Sequence, residues 1–111
     1  MFTIDNDTNM ITIVKKDTAY FGLELDNYVL SQGDKVTFTI AKEKESQDPL
    51  VQKVVTDFDE ESGIALIHLT SEDTDLDKGT YFYDIQVDTK DGQVDTVIGP
   101  AKFKVVEGVT Y

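Results

Sequence analysis

The 111-residue chain has no cysteine, no arginine and no tryptophan, and only two prolines, four alanines and one histidine. Without cysteine there is no disulfide, no thiolate nucleophile and no cysteine-held zinc or iron–sulfur cluster. Without arginine, ten lysines are the only permanent cations against 22 carboxylates, and the formal net charge is −12. Such a surface repels a phosphate backbone and an anionic bilayer, so neither nucleic acid nor a membrane is expected as a partner. No apolar run approaches the roughly 20 residues of a membrane-spanning helix. The start, Met1-Phe2-Thr3-Ile4-Asp5-Asn6-Asp7, lacks the basic and apolar segments of a secretory leader. Synthesis and folding in a cytoplasm are expected.

What remains is enough for one domain over residues 1–111. Hydrophobic residues make up 40% of the chain and aromatics 10%, sufficient to close a core. Val, Ile and Thr together number 33, far above the four alanines. β-Branched residues fit a pleated surface, whereas alanine is the strongest helix former, so strands are expected throughout.

The strands show as a period of two. Ala19, Phe21, Leu23 and Leu25 alternate with Thr18, Tyr20, Gly22 and Glu24. Val36, Phe38 and Ile40 alternate with Thr37 and Thr39 between Lys35 and Lys42. Ala65, Ile67 and Leu69 alternate with Leu66 and His68. Tyr81, Tyr83, Ile85 and Val87 alternate with Phe82, Asp84 and Gln86, and Ala101, Phe103 and Val105 with Lys102 and Lys104. Weaker strands are expected near Phe2–Ile4, Met10–Val14, Leu50–Phe58 and Gln93–Ile98. Turns fall at Gln32-Gly33-Asp34, Glu61-Ser62-Gly63 and Lys90-Asp91-Gly92, the last a hairpin signal. The polar stretch Lys42 to Pro49 reads as a loop, and Gly99-Pro100 is expected to end or bend a strand. Short strands and frequent turns point to an all-β, antiparallel, two-sheet β-sandwich. Its core is expected to hold Phe21, Leu23, Val36, Phe38, Ile40, Ile67, Leu69, Tyr81, Tyr83, Ile85 and Phe103.

The segment from Leu69 to Tyr83 is the most informative. Thr70 can cap one helical turn, with Glu72 and Asp73 at its positive end. Leu76 can plug the core, and Gly79 lets the chain turn into the strand that begins at Tyr81. This resembles the crossing before strand F of immunoglobulin-like domains, where a tyrosine hydroxyl bonds back to the crossing backbone. Tyr83 then stands where antibody domains carry their second cysteine.

Side-chain chemistry yields no catalytic set. His68 has no nucleophile or ligand cluster to work with and is expected to be structural or at the surface. Asp57-Phe58-Asp59-Glu60-Glu61 reads as solvated turn charge in preference to a glycosidase pair. Asp5-Asn6-Asp7-Thr8-Asn9 and Asp73-Thr74-Asp75-Leu76-Asp77 have the opening spacing of calcium loops. Met10 and Lys78 occupy the positions that need glycine, and Lys16 replaces the closing glutamate of the first. No metal, cofactor or catalytic residue is therefore assigned. Tyr20, Tyr28 and Phe82 are candidate exposed aromatics, read as cover for a sheet face or an interface ahead of a sugar platform.

Taken in order, Lys16-Asp17-Thr18, Gly33-Asp34 with Val36 and Phe38, Leu69-Thr70 with Glu72-Asp73-Thr74, Gly79, Tyr81, Tyr83-Asp84-Ile85, Asp91-Gly92, Thr96-Val97, Gly99, Phe103 and Val105 form a framework. It resembles the small immunoglobulin-like β-sandwich domains of tailed-bacteriophage structural proteins, such as the N-terminal domain of baseplate upper proteins. The resemblance spans Met10 to Val109 and departs at Lys16, where many such domains have glycine. It implies a non-enzymatic phage or prophage virion protein, an assembly module of tail or baseplate that contacts other virion proteins or copies of itself. The second expectation is a carbohydrate-binding module recognising a bacterial surface glycan. Contacts are expected at sheet edges, with the C-terminal strand an edge partly guarded by Pro100, Lys102 and Lys104. Those lysines either pair with carboxylates of another copy or keep the isolated domain monomeric.

Overall fold

A computed structural model describes residues 2–4, 8–25, 28–43, 48–58 and 61–108. The described residues form eight strands: β1 (Phe2–Ile4), β2 (Ile11–Val14), β3 (Ala19–Leu23), β4 (Lys35–Ala41), β5 (Val51–Val55), β6 (Ala65–Leu69), β7 (Gly79–Asp88) and β8 (Val94–Val106). No helix occurs among the described residues, and the chain is all-β. One sheet has the order β1-β2-β8-β7-β4-β5; the other pairs β3 with β6.

The alternation read from the sequence sets which face of each strand is buried. In β6, Ala65, Ile67 and Leu69 are buried while Leu66 and His68 face solvent. In β7, Tyr81, Tyr83, Ile85 and Val87 are buried. The inner faces of both sheets meet on one core. Phe38 of β4 is fully buried. Its ring lies 5.6 Å from Phe21 of β3, 5.4 Å from Tyr83 and 6.4 Å from Phe103. Every expected core residue is buried except Phe21, which is half-buried and packs against the rest. Ile11, Ile13, Leu30, Val87 and Val105, with Ala19 and Ala65, complete the buried core.

One feature differs from the expectation. β2 and β8 pair in parallel, Ile11 beside Phe103 through Val14 beside Val106, so the large sheet is mixed. Parallel neighbours need a long crossover, and here the whole intervening chain supplies it. β8 is therefore not an edge along its length. From Phe103 onward β2 flanks it, and among the described residues only its first part, ending at Lys102, has β7 as its sole strand neighbour. Of the two outcomes expected at Gly99-Pro100, the strand bends there without ending. The β7–β8 register shifts between Tyr83 and Gln86, and Gly99 lies over Asp84 with φ 134°. A Cβ at position 99 would stand 2.4 Å from Asp84 Cβ, so glycine alone fits this close approach.

Candidate functional site

The β3–β6 and β4–β7 registers place two sets of connections at opposite ends of the sheets. At one end run residues 28–34, 56–58, 61–64 and the β7–β8 turn. At the other lie the turn after β2 and the crossing from β6 to β7.

The first end is organised by Asp34, a carboxylate only 2% exposed. The Tyr28 hydroxyl and the Lys90 main-chain N–H each donate to Oδ1 at 2.9 Å, and the Ser31 N–H donates to Oδ2 at 2.9 Å. Burial opposes ionisation of Asp34, but these donors and the Lys90 charge outweigh it and hold the carboxyl below its ordinary value. The hydrogen bond to Asp34, with burial, raises the Tyr28 hydroxyl. The clasp joins the loop before β4 to the hairpin turn, and Lys90 Nζ adds a 3.2 Å bond to Ser31 Oγ. Gly63, with φ 69°, backs the same loop. A Cβ there would meet Val29 Cγ1 at 2.7 Å and the Leu30 nitrogen at 2.9 Å.

Between this pinned loop and the chain leaving β5 lies an open cleft of about 480 Å³, lined by Val29, Leu30, Ser31, Gln32, Thr56, Asp57 and Phe58. Leu30 is buried in the core beneath it, while Val29 is 62% exposed. The lining combines an apolar floor with hydroxyl, amide and carboxylate groups.

The second end is a closed polar knot. Thr70 and Asp73 cap one another: the Asp73 N–H donates to Thr70 Oγ1 at 3.2 Å, and the Thr70 N–H donates to Asp73 Oδ2 at 2.8 Å. Fully buried Thr74 donates from its hydroxyl to the Asp17 carbonyl at 2.7 Å, and its own carbonyl accepts from the Lys16 N–H. Lys53 of β5 reaches Asp73 at 2.7 Å. Burial works against the charged form of Asp73, yet Lys53 and the Thr70 donors prevail and lower its pKa. Leu76 packs against the core, and the Tyr81 hydroxyl donates to the Asp77 carbonyl at 2.6 Å.

This geometry answers the calcium pattern at Asp73-x-Asp75-x-Asp77. Asp73 is committed to Thr70 and Lys53, and Asp75 faces Lys15 at 3.7 Å. Of the other pattern, residues 5–7 lie outside the described residues, while the Asn9 carbonyl accepts from the Tyr83 hydroxyl. Among the described residues no three of His, Asp and Glu converge on a metal position. Asp57 is exposed, and Asp59 and Glu60 lie outside the described residues.

His68 is exposed and stacks on Tyr20 across the β3–β6 pair, with ring centroids 4.0 Å apart and planes 3° from parallel. Tyr28 belongs to the Asp34 clasp. Phe82 lines a second hollow with Thr39, Glu43, Asp84 and Pro100, where burial raises the Asp84 pKa. Its volume of about 50 Å³ suits one or two water molecules and no sugar ring. Asp34, Lys53 and Thr74, which fasten the connections at these two ends, are not among the site candidates of the sequence. The Ser31-Gln32-Gly33-Asp34 spacing, typical of a side chain bonding back to its own turn, was the available signal for the first.

No known protein family matches the chain, and no curated protein matches it.

Proposed function

We propose that the chain is an immunoglobulin-like sandwich serving as a non-enzymatic assembly module of a bacteriophage or prophage particle, in its tail or baseplate. The observation that carries the reading is the Tyr81–Asp77 bond at the crossing between sheets, set within its strand order. In immunoglobulin terms β3 and β6 take the places of strands B and E, and β5, β4, β7 and β8 those of C′, C, F and G. Phe38 then stands in the place of the buried tryptophan and Tyr83 in that of the second cysteine. The Phe21–Phe38 ring contact joins the two sheets, as the disulfide does in antibody domains, and Tyr83 packs on Phe38 within the large sheet. Lys16 adds support. Its φ of 70° is a left-handed conformation that favours glycine, the residue many of the phage domains carry there.

With the core filled from both sheets, contacts to other virion proteins fall to loops, edges and outer faces. Mass spectrometry of purified particles from a host carrying the gene tests this. The reading expects peptides of this chain in stoichiometric ratio to tail proteins. Their absence from intact particles, with the protein free in the lysate, contradicts it.

A further inference from the structure

The cleft beside β5 is the surface best prepared for a partner. Its inner wall needs no ordering on binding, because the Asp34 clasp and the Gly63 contact already fix residues 28–34. Val29 of the lining is 62% exposed, and Val54 of β5, two residues before Thr56, is 55% exposed. β5 ends the large sheet and has β4 as its only strand neighbour among the described residues, so its other side offers main-chain groups to an added strand. Lys53 is an inward cation of the kind that guards edges, but its ammonium is drawn across to Asp73.

Charge selects the occupant. Asp57 stands in the lining, on a chain whose net charge is −12. Lys90 is tied to Ser31 at the lining, and Lys35 is paired with Asp88 at 3.5 Å. A second copy would bring another net charge of −12 to this surface, whereas a basic segment would be attracted to it.

We infer that the cleft and the adjoining edge of β5 take an extended, lysine- or arginine-bearing segment of a partner protein, one apolar side chain of which enters between Val29 and Phe58. The inference rests on the assembly reading and names its docking surface and the chemistry of its partner.

The test is an amide-resolved NMR titration of the whole chain with a short blocked peptide alternating lysine and valine, and with its glutamate counterpart. The lysine peptide is expected to shift Val29, Ser31, Val54 and Asp57, and to bind at least about tenfold more weakly at high salt. The glutamate peptide is expected not to bind. Val29→Lys and Asp57→Lys, both at exposed positions, are each expected to weaken the lysine peptide about tenfold while the spectrum stays dispersed. Equal binding of the two peptides, shifts scattered over the acidic surface, or variants without effect would overturn the inference. Concentration-dependent shifts at the same residues without peptide would also overturn it, by assigning the cleft to a second copy. The particle analysis above separates the two claims. Chain present in particles with no peptide bound sinks the docking surface alone; chain absent from particles with peptide seated in the cleft sinks the assembly reading.

Discussion

The Tyr81 hydroxyl and the Asp77 carbonyl, four residues apart, meet at 2.6 Å and close the crossing from β6 to β7. The bond fixes where β7 enters the large sheet, and so the register of Tyr81 and Tyr83 against the core. Burial, and then the negative charge of Asp77, raise the Tyr81 pKa, so the bond is made by a neutral phenol at physiological pH. Tyr81→Phe removes the bond and keeps the ring. It is expected to cost about 0.5–1.5 kcal/mol in urea unfolding. Phe38→Ala, which empties the contact between the sheets, is expected to cost about 3–5 kcal/mol. Equal effects would mean that the corner, not the core, holds the sheets together.

Tyr83 gives an alkaline signature. Burial pushes its hydroxyl up to about 12. Between the ordinary tyrosine value of about 10 and that value, the folded chain holds a proton that the unfolded chain has lost. The contribution is complete below the ordinary value and disappears as pH rises through the folded one. Phenolate absorbance should show a last tyrosine step at about 12 that is missing in Tyr83→Phe. Tyr83 ionising at the ordinary tyrosine value of about 10 would contradict the burial.

Acid acts through Asp34 and Asp73, both held below their ordinary pKa. Their contributions are present above the ordinary carboxylate range, near about 4, and are lost as pH falls toward the folded values. Asp84, raised by burial, works the other way. Urea midpoints are expected to fall below that range, and Asp34→Asn to be less stable at neutral pH with a shallower acid loss. An unchanged acid slope in Asp34→Asn would remove Asp34 from the account.

Lys16→Gly tests the turn after β2. A left-handed non-glycine residue costs about 1 kcal/mol, so the substitution is expected to leave stability unchanged or raise it by up to that amount, despite the added freedom of the unfolded chain. A clear loss in thermal unfolding would show that the lysine side chain, not the backbone, matters there.

Period-two alternation made β3, β4, β6 and β7 readable in the sequence, because one face of each is apolar and the other is not. β5 was harder: Lys53 occupies an inward position, and only the distant Asp73 explains why a cation sits there. The parallel pairing of β2 with β8 depends on residues about ninety positions apart, beyond local pattern. Asp34 looked like ordinary turn charge, since one of its donors, the Lys90 N–H, comes from a segment 56 residues away. The cleft was hidden for the same reason, as its walls are joined only in the folded chain.

Sedimentation of the chain from micromolar to near-millimolar concentration, alone and with the products of neighbouring genes, tests the assembly reading most directly. The account predicts a monomer when alone, kept apart by its acidic surface, and a heterologous complex when the right neighbour is added. A chain that stays monomeric with every neighbour and instead binds host-wall glycan would contradict it.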